Sequence, residues 1–143
     1  MSDTDPYRLE RFVEAQRGAM DGVLAELRAG RKTGHWIWFV FPQLAGLGRS
    51  EMARYYGIGS LSEARAYLEQ PVLGARLRDC VDALLAIDGR TAEDVLGPVD
   101  AMKVRSSLTL FHRAAPDDPR FPALLAKWYG GVPDALTDQL LGG

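Results

Sequence analysis

The segment GHWIWFVFPQ, residues 34–43, decides how the fold is interpreted. It places four aromatic rings within six residues and ends in a proline followed by a glutamine. A run of apolar residues before a proline is consistent with either a buried strand or a short buried helix. The rest of the chain offers no second convincing strand, and a lone buried strand would leave its backbone N–H and C=O groups unpaired. Residues 36–41 are therefore predicted to be helical, and the fold class to be all-α.

Helix start and stop signals divide the remainder of the chain. Asp5 and Pro6 resemble a helix start, and apolar residues then recur at helical spacing up to Gly30, which predicts one long amphipathic helix. N-capping residues at Ser50 and Thr91, a capping box from Ser60 to Glu63 and helix-starting prolines are the signals for further helices. They predict helices at about residues 50–55, 60–69, 71–89, 91–96, 100–112, 118–129 and 134–141. The expected architecture is a compact single-domain bundle of about seven to eight helices over residues 1–143, with residues 1–5 as a flexible N-terminus.

Composition limits the function classes. The chain has 143 residues, of which 47% are hydrophobic and 25% charged, as in a single globular domain. A net charge of −2 gives no basic field for nucleic acid or a membrane surface, so any anion must be bound by a local cluster. One cysteine and two histidines leave little for a metal site. The polar start of the chain and the lack of a spanning apolar run favour a bacterial cytoplasmic protein.

The segment GLGRS, residues 46–50, follows the aromatic block. A glycine turn before a helix exposes backbone N–H groups that favour anions, and Arg49 would add a forked donor for phosphate or carboxylate. The spacing fits neither a P-loop nor a dinucleotide-binding fingerprint. A flexible turn with a solvated arginine is the alternative interpretation.

A second polar group follows one face of the helix predicted near residues 100–112. Asp100, Lys103 and Ser107 are spaced i, i+3 and i+7, with Ser106 and Thr109 close by. An aspartate beside a lysine can act as an acid or base, or can orient a neighbour through an ion pair. The alternative is a helix-capping aspartate next to a surface lysine.

His35 and the tryptophans could complete a site. His35 is a candidate general base or ligand donor, and Trp36 or Trp38 could stack on a base or sugar. At i, i+2 in a helix the two rings diverge, so at least one of them is expected in the core. The alternative role for His35 is a bond to the backbone at the start of the aromatic run.

Several segments together resemble a bacterial family filed as domain of unknown function 1810, often mislabelled calpastatin. These segments are residues 11–16, 34–43, 46–50, 56–58, 63–68, 73–77 and 97–111. The resemblance covers about residues 7 to 141 and implies an all-helical domain without an established activity. A looser similarity, in residues 12–16 and 67–85, is to small N-glycoside hydrolases that act on ADP-ribosyl groups and damaged riboflavin intermediates.

The first functional hypothesis is therefore an enzyme that cleaves an N-glycosidic bond in a nucleotide-like or ADP-ribose-like substrate, without metal or cofactor. Asp100 would be the catalytic carboxylate and His35 the acid or base. The residues expected to bind the ligand are Trp36, Gln43, Arg49, Ser50, Lys103, Ser106 and Ser107. The alternatives are a non-catalytic module that binds a small anion or a protein, and a helical interaction protein. The enzyme hypothesis requires residues 35–50 and 100–109 to share one cavity.

Overall fold

The structure is a computed structural model, and it describes residues 5–142. Ten helices lie in that range, so the all-α prediction is confirmed while the predicted number of helices was too low. The helices are α1 (Glu10–Gln16), α2 (Met20–Ala29), α3 (Ile37–Val40), α4 (Glu51–Tyr55), α5 (Leu61–Glu69), α6 (Pro71–Leu85), α7 (Ala92–Leu96), α8 (Pro98–Ala114), α9 (Arg120–Tyr129) and α10 (Ala135–Leu140). An isolated parallel β-bridge joins Leu44 to Ile58.

The long helix predicted from Asp5 to Gly30 is wrong in one respect, because it is two helices. The chain leaves the helical conformation after Gln16, and Gly18 has a φ of +78°, a left-handed conformation that glycine adopts without steric cost. α2 then runs from Met20 to Ala29, and Gly30, which follows it, also has a left-handed backbone conformation. Apolar periodicity continues across the break, which is why the sequence pattern alone did not reveal it.

The N-terminal boundary also differs from the prediction. Asp5 accepts hydrogen bonds from the backbone N–H groups of Leu9 and Glu10, so it does satisfy helix-start donors, but the first regular turn begins at Glu10. Arg8, which lies between Asp5 and Glu10, has a φ of +55°. The prediction of a flexible N-terminus otherwise concerns residues 1–4, which lie outside the described range.

The aromatic segment is helical, as predicted, but over residues 37–40 rather than 36–41, because Trp36 and Phe41 have non-helical backbone angles. α3 contains only four residues, and Ile37, Val40 and the following Phe41 are at most 2% exposed. The predicted N-caps are present in α4, where the Ser50 hydroxyl accepts from a backbone N–H three residues on, and in α7, where Thr91 does the same. Such caps replace hydrogen bonds that the first helical turn cannot make itself.

α8 is the central element. It packs against α3, α5, α7, α9 and α10, and its buried residues include Val104, Leu108 and Phe111. It begins at Pro98 and ends at Ala114, slightly longer at both ends than predicted. The apolar stripe fixes the orientation of the helix, and the residues at its N-terminal end lie at the margin of the core.

Arg11 and Glu63 form a buried ion pair between the N-terminal region and α5. The guanidinium of Arg11 is 3.0 Å from the carboxylate of Glu63, and neither side chain is more than 9% exposed. Arg11 also donates to the backbone carbonyls of Tyr55 and Gly57. The capping box predicted for α5 is therefore only half formed: Ser60 accepts from the Glu63 N–H, whereas the Glu63 carboxylate turns to Arg11 and to the N–H of Gly59.

None of the helices in residues 5–142 is both long and apolar enough to cross a bilayer.

Candidate functional site

The predicted polar stripe of α8 meets the aromatic segment at a cluster of five residues, Lys32, Trp36, Trp38, Asp100 and Lys103, here called the lysine–tryptophan cluster. The Nζ atom of Lys32 lies 2.7 Å from Oδ2 of Asp100, and Nζ of Lys103 lies 3.9 Å from Oδ1. Each ammonium group also faces a different tryptophan. Nζ of Lys32 is 4.8 Å from the ring centroid of Trp36, and Nζ of Lys103 is 5.0 Å from that of Trp38. Both contacts are within cation–π range.

Lys32 is fixed in place from several directions. Its backbone N–H donates to the carbonyl of Val95 in α7, which ties the α2–α3 connection to the region just before α8. Its ammonium group donates to the carbonyl of Gly34 as well as pairing with Asp100, and its side chain is only 6% exposed. Lys103, by contrast, is 26% exposed, and within the described residues its ammonium group has only the long contact with Asp100 and the contact with the Trp38 ring. The side chain of Lys32 is therefore held in one position, whereas that of Lys103 can change conformation.

Glu26 of α2 shapes the loop that carries Lys32. Its Oε1 atom accepts from the N–H groups of Thr33 and Gly34 and from Nε1 of Trp36, at 2.7, 2.9 and 3.1 Å. Burial acts to raise the pKa of Glu26, but the hydrogen bonds from Gly34, Thr33 and Trp36 outweigh it and lower the pKa. The ionised carboxylate is thus the form that this loop conformation favours.

The two tryptophans have different environments, in agreement with the expectation that one belongs to the core. Trp36 is 5% exposed, donates to Glu26 and has Lys32 beside its ring, so little of it is available to a ligand. Trp38 is only partly buried. Of the two rings, Trp38 is the better placed to contact a ligand.

The three hydroxyl groups of α8 also differ. Ser106 donates to the carbonyl of Met102, and Thr109 donates to that of Arg105, the usual bond of a hydroxyl to the preceding helical turn. Ser107 is 1% exposed, and its hydroxyl has no hydrogen-bond partner in residues 5–142. Ser107 is the one of the three whose hydroxyl is not engaged by the protein.

Other predicted site residues are not joined to the cluster. The side chains of His35 and Arg49 are exposed, and neither these nor the Gln43 amide makes a hydrogen bond or ion pair within the described part of the chain. The Ser50 hydroxyl accepts from the N–H of Ala53, so it serves as the cap of α4. Their assignment to a ligand remains a prediction, and the structure connects the 100–109 segment to residues 32–38 rather than to residues 43–50.

Sequence reasoning missed Lys32 and Glu26. Glu26 was assigned to an amphipathic helix and Lys32 to the loop after it, and neither has a spacing relation to Asp100. The available signal was local: a lysine, a glycine and a tryptophan in close succession place a cation next to an aromatic ring. That pattern does not identify the carboxylate partner.

A well-formed cavity lies elsewhere. It has a volume of about 520 Å³ between the C-terminal part of α2 and α6, and its walls carry charges of both signs together with small apolar residues. Its lining is Arg28, Ala29, Gly30, Asp79, Asp82, Ala83, Ala86, Ile87, Asp88 and Arg90, which includes no member of the lysine–tryptophan cluster. In residues 5–142 no three His, Cys, Asp or Glu side chains are grouped to hold a metal ion.

Comparison with known proteins identifies the family. The family model described as "Protein of unknown function (DUF1810)" matches residues 6–141. The chain belongs to this family. It is also similar to a conserved hypothetical protein from Mycobacterium tuberculosis whose crystal structure is known, with 52% sequence identity over 97% of this chain and 99% of that chain, and a TM-score of 0.95. No match was found among curated proteins.

These comparisons confirm the family and the all-helical fold of the DUF1810 chain. Neither the family description nor that of the mycobacterial protein gives an activity. Function must therefore be argued from the chemistry of particular side chains, because a shared fold does not by itself specify a reaction.

Proposed function

We propose that this protein is an enzyme that binds a nucleotide-like or ADP-ribose-like ligand at the lysine–tryptophan cluster and cleaves its N-glycosidic bond. The observation that carries the proposal is the position of Asp100, whose carboxylate oxygens lie 2.7 Å and 3.9 Å from two ammonium groups. The side chain of Asp100 remains 19% exposed, so a ligand can approach it. A carboxylate, two cations and aromatic walls are the groups that a charged glycoside requires.

Asp100 would act on the sugar. Cleavage of an N-glycosidic bond develops positive charge at the anomeric carbon, and a carboxylate next to that carbon stabilises the transition state. Lys32 would keep the carboxylate in place, since it is nearly buried and held by the Gly34 carbonyl. Preorganisation of this kind costs nothing at the moment of reaction.

Lys103 would bind the anionic part of the ligand. It is more exposed than Lys32, and a contact of 3.9 Å to Asp100 is too long for a hydrogen bond. An ammonium group on a flexible stem can turn toward a phosphate without breaking other protein bonds. Trp38, against which it rests at 5.0 Å, would provide the aromatic surface for the base or sugar.

The reaction would proceed by hydrolysis. The bond between the anomeric carbon and nitrogen breaks with its electron pair passing to nitrogen. A base that would otherwise leave as an anion takes a proton from His35, which regains one from solvent, whereas nicotinamide leaves NAD⁺ as a neutral molecule without a proton. The oxygen of a water molecule adds to the anomeric carbon and loses one proton to Asp100, from which it passes to solvent. His35 is exposed and directly precedes Trp36, so the proposal places the leaving base on the side of the ligand that faces His35.

The test is product analysis with the Asp100→Asn variant. The wild-type protein is incubated with ADP-ribose, NAD⁺ and nucleoside monophosphates, and the release of free base or ribose is followed by chromatography. We expect turnover of at least one compound by the wild type, and a loss of about a hundredfold or more in Asp100→Asn with ligand affinity retained. Equal rates for the two proteins would exclude the catalytic role of Asp100.

A non-catalytic binding module is the second candidate, and the Lys32–Asp100 pair favours it. An ion pair of 2.7 Å can hold the α2–α3 loop against α8 without any substrate. Such a module would bind an anion at Lys103 and leave every compound intact. Binding without product formation by the wild type would support this candidate over the enzyme.

A further inference from the structure

Three buried side-chain atoms lack hydrogen-bond partners in residues 5–142: Nδ1 of His112, and one atom each on α3 and α8, two helices that pack together. Nε1 of Trp38 and Oγ of Ser107 each expose less than 1 Å² and have no hydrogen-bond partner in residues 5–142. Burial of an N–H or O–H group without a partner is unfavourable, and native proteins avoid it. Such a pair therefore calls for a specific explanation.

Comparable groups elsewhere in the chain are satisfied. The indole N–H of Trp36 donates to Glu26, and that of Trp128 donates to the carbonyl of Arg90. The neighbouring hydroxyl of Ser106 bonds to its own helix. Trp38 and Ser107 thus depart from a rule that similar residues follow.

Lys103 connects the two unpaired groups. Its Nζ atom lies 5.0 Å from the ring centroid of Trp38, and Ser107 is four residues further along α8, on the same helical face. The Lys103 ammonium therefore lies over the Trp38 ring, and the Cβ atoms of Lys103 and Ser107 are neighbours on α8. Lys103 is 26% exposed and is not hydrogen-bonded to Asp100, so its side chain can change conformation, and a ligand that reaches the two buried atoms requires such a change.

We infer that Trp38 and Ser107, together with Lys103, form a subsite for one phosphoryl oxygen of the ligand. The inference rests on the proposed function and specifies that the phosphoryl group of the ligand binds near Trp38 and Lys103. A phosphoryl oxygen accepts several hydrogen bonds at once, and the subsite offers an indole N–H, a hydroxyl and an ammonium group as donors. Trp38 would thus be a ligand-binding residue through its nitrogen as well as its ring.

The test uses Trp38→Phe, Ser107→Ala and the control Trp128→Phe. Affinity for ADP-ribose, for inorganic phosphate and for a carboxylate probe, citrate, is measured by calorimetry, and the unfolding of each ligand-free variant is measured in denaturant. We expect Trp38→Phe and Ser107→Ala each to weaken phosphate-containing ligands about tenfold to a hundredfold, because each removes a bond to a charged group. Ser107→Ala should not lower the stability of the free protein, since the oxygen removed has no partner there. Trp38→Phe also removes part of the ring that Lys103 contacts, so its test of the subsite is the loss of affinity. Trp128→Phe should lower stability and leave affinity unchanged.

Three results would overturn the inference in distinguishable ways. If the wild type binds a phosphate-containing ligand and both variants bind it equally well, the subsite is wrong and the proposed function stands. If the wild type binds none of the probes, the proposed function fails and the subsite with it. If both variants lose stability as Trp128→Phe does while affinity is unchanged, internal water satisfies the two atoms and their role is structural.

Discussion

Lys32 and Asp100 form an ion pair of 2.7 Å across the contact between the α2–α3 connection and α8. This pair gives the two lysines of the cluster separate roles, because Lys32 is committed to Asp100 and Gly34 while Lys103 is not. Removal of the ammonium group should therefore lower stability more at Lys32, which is nearly buried, than at Lys103, which is partly exposed.

The first prediction compares Lys32→Met with Lys103→Met. Lys32→Met should lower the free energy of unfolding by about 2–3 kcal/mol, because it leaves the Asp100 carboxylate without its close partner; the partial exposure of Asp100 keeps the loss below that of a fully buried pair. Lys103→Met should change stability by no more than about 0.5 kcal/mol. Denaturant unfolding measures both, and equal losses in the two variants would contradict the division of roles.

The second prediction concerns the glycine at the start of α6. A Cβ atom on Gly74 would lie 2.1 Å from the carbonyl oxygen of Leu68, near the end of α5. The backbones of α5 and α6 are therefore too close at this position for a residue that carries a side chain. Gly74→Ala should destabilise the protein by about 1–3 kcal/mol, since backbone must move to relieve the contact. Thermal unfolding gives the measurement.

Gly22→Ala is the matched control. Gly22 lies within α2, and a Cβ atom there would meet nothing within 4 Å. Alanine has the higher helix propensity and fewer unfolded conformations, so this substitution should stabilise the protein by about 0.5–1 kcal/mol. Effects of the same sign at the two positions would contradict the packing argument.

The third prediction concerns the pH dependence of α10. Arg113 of α8 donates two hydrogen bonds of 2.9 Å to the carboxylate of Asp138, and these bonds lower the pKa of Asp138 despite partial burial. Because the folded pKa lies below the unfolded value of about 3.9, the stabilisation is present above that pH and is lost as pH falls through the folded pKa.

Asp138→Asn should therefore cost about 1 kcal/mol at pH 7, and its difference from the wild type should shrink as pH falls below about 3.9 and through the lowered pKa of Asp138. Urea unfolding at a series of pH values provides the comparison. Asp117→Asn is the control, because Asp117 is exposed and makes no ion pair within the described residues. A difference for Asp138→Asn that persists unchanged at pH 2 would show that the charge is not responsible.

Much of the fold follows from local sequence signals. The hydroxyls of Ser50, Ser60 and Thr91 each accept from the N–H three residues on, as predicted, because capping requires only residues within one helical turn. The break at Gly18 was missed, since apolar residues keep their helical spacing on both sides of it. At α5 the predicted capping box is incomplete, because the Glu63 carboxylate accepts from Arg11, which is remote in sequence, and from the N–H of Gly59 instead of from the N–H of Ser60.

For the candidate site, the sequence by itself determined which residue types lie on one face of α8, because helical periodicity fixes directions within a single element. Only the tertiary structure decided that Asp100 pairs with Lys32, that Trp36 is buried and that Trp38 meets Lys103. Those contacts join remote segments, and they depend on how the α2–α3 connection packs against α7 and α8. The spacing of residues along the chain does not predict contacts of this kind.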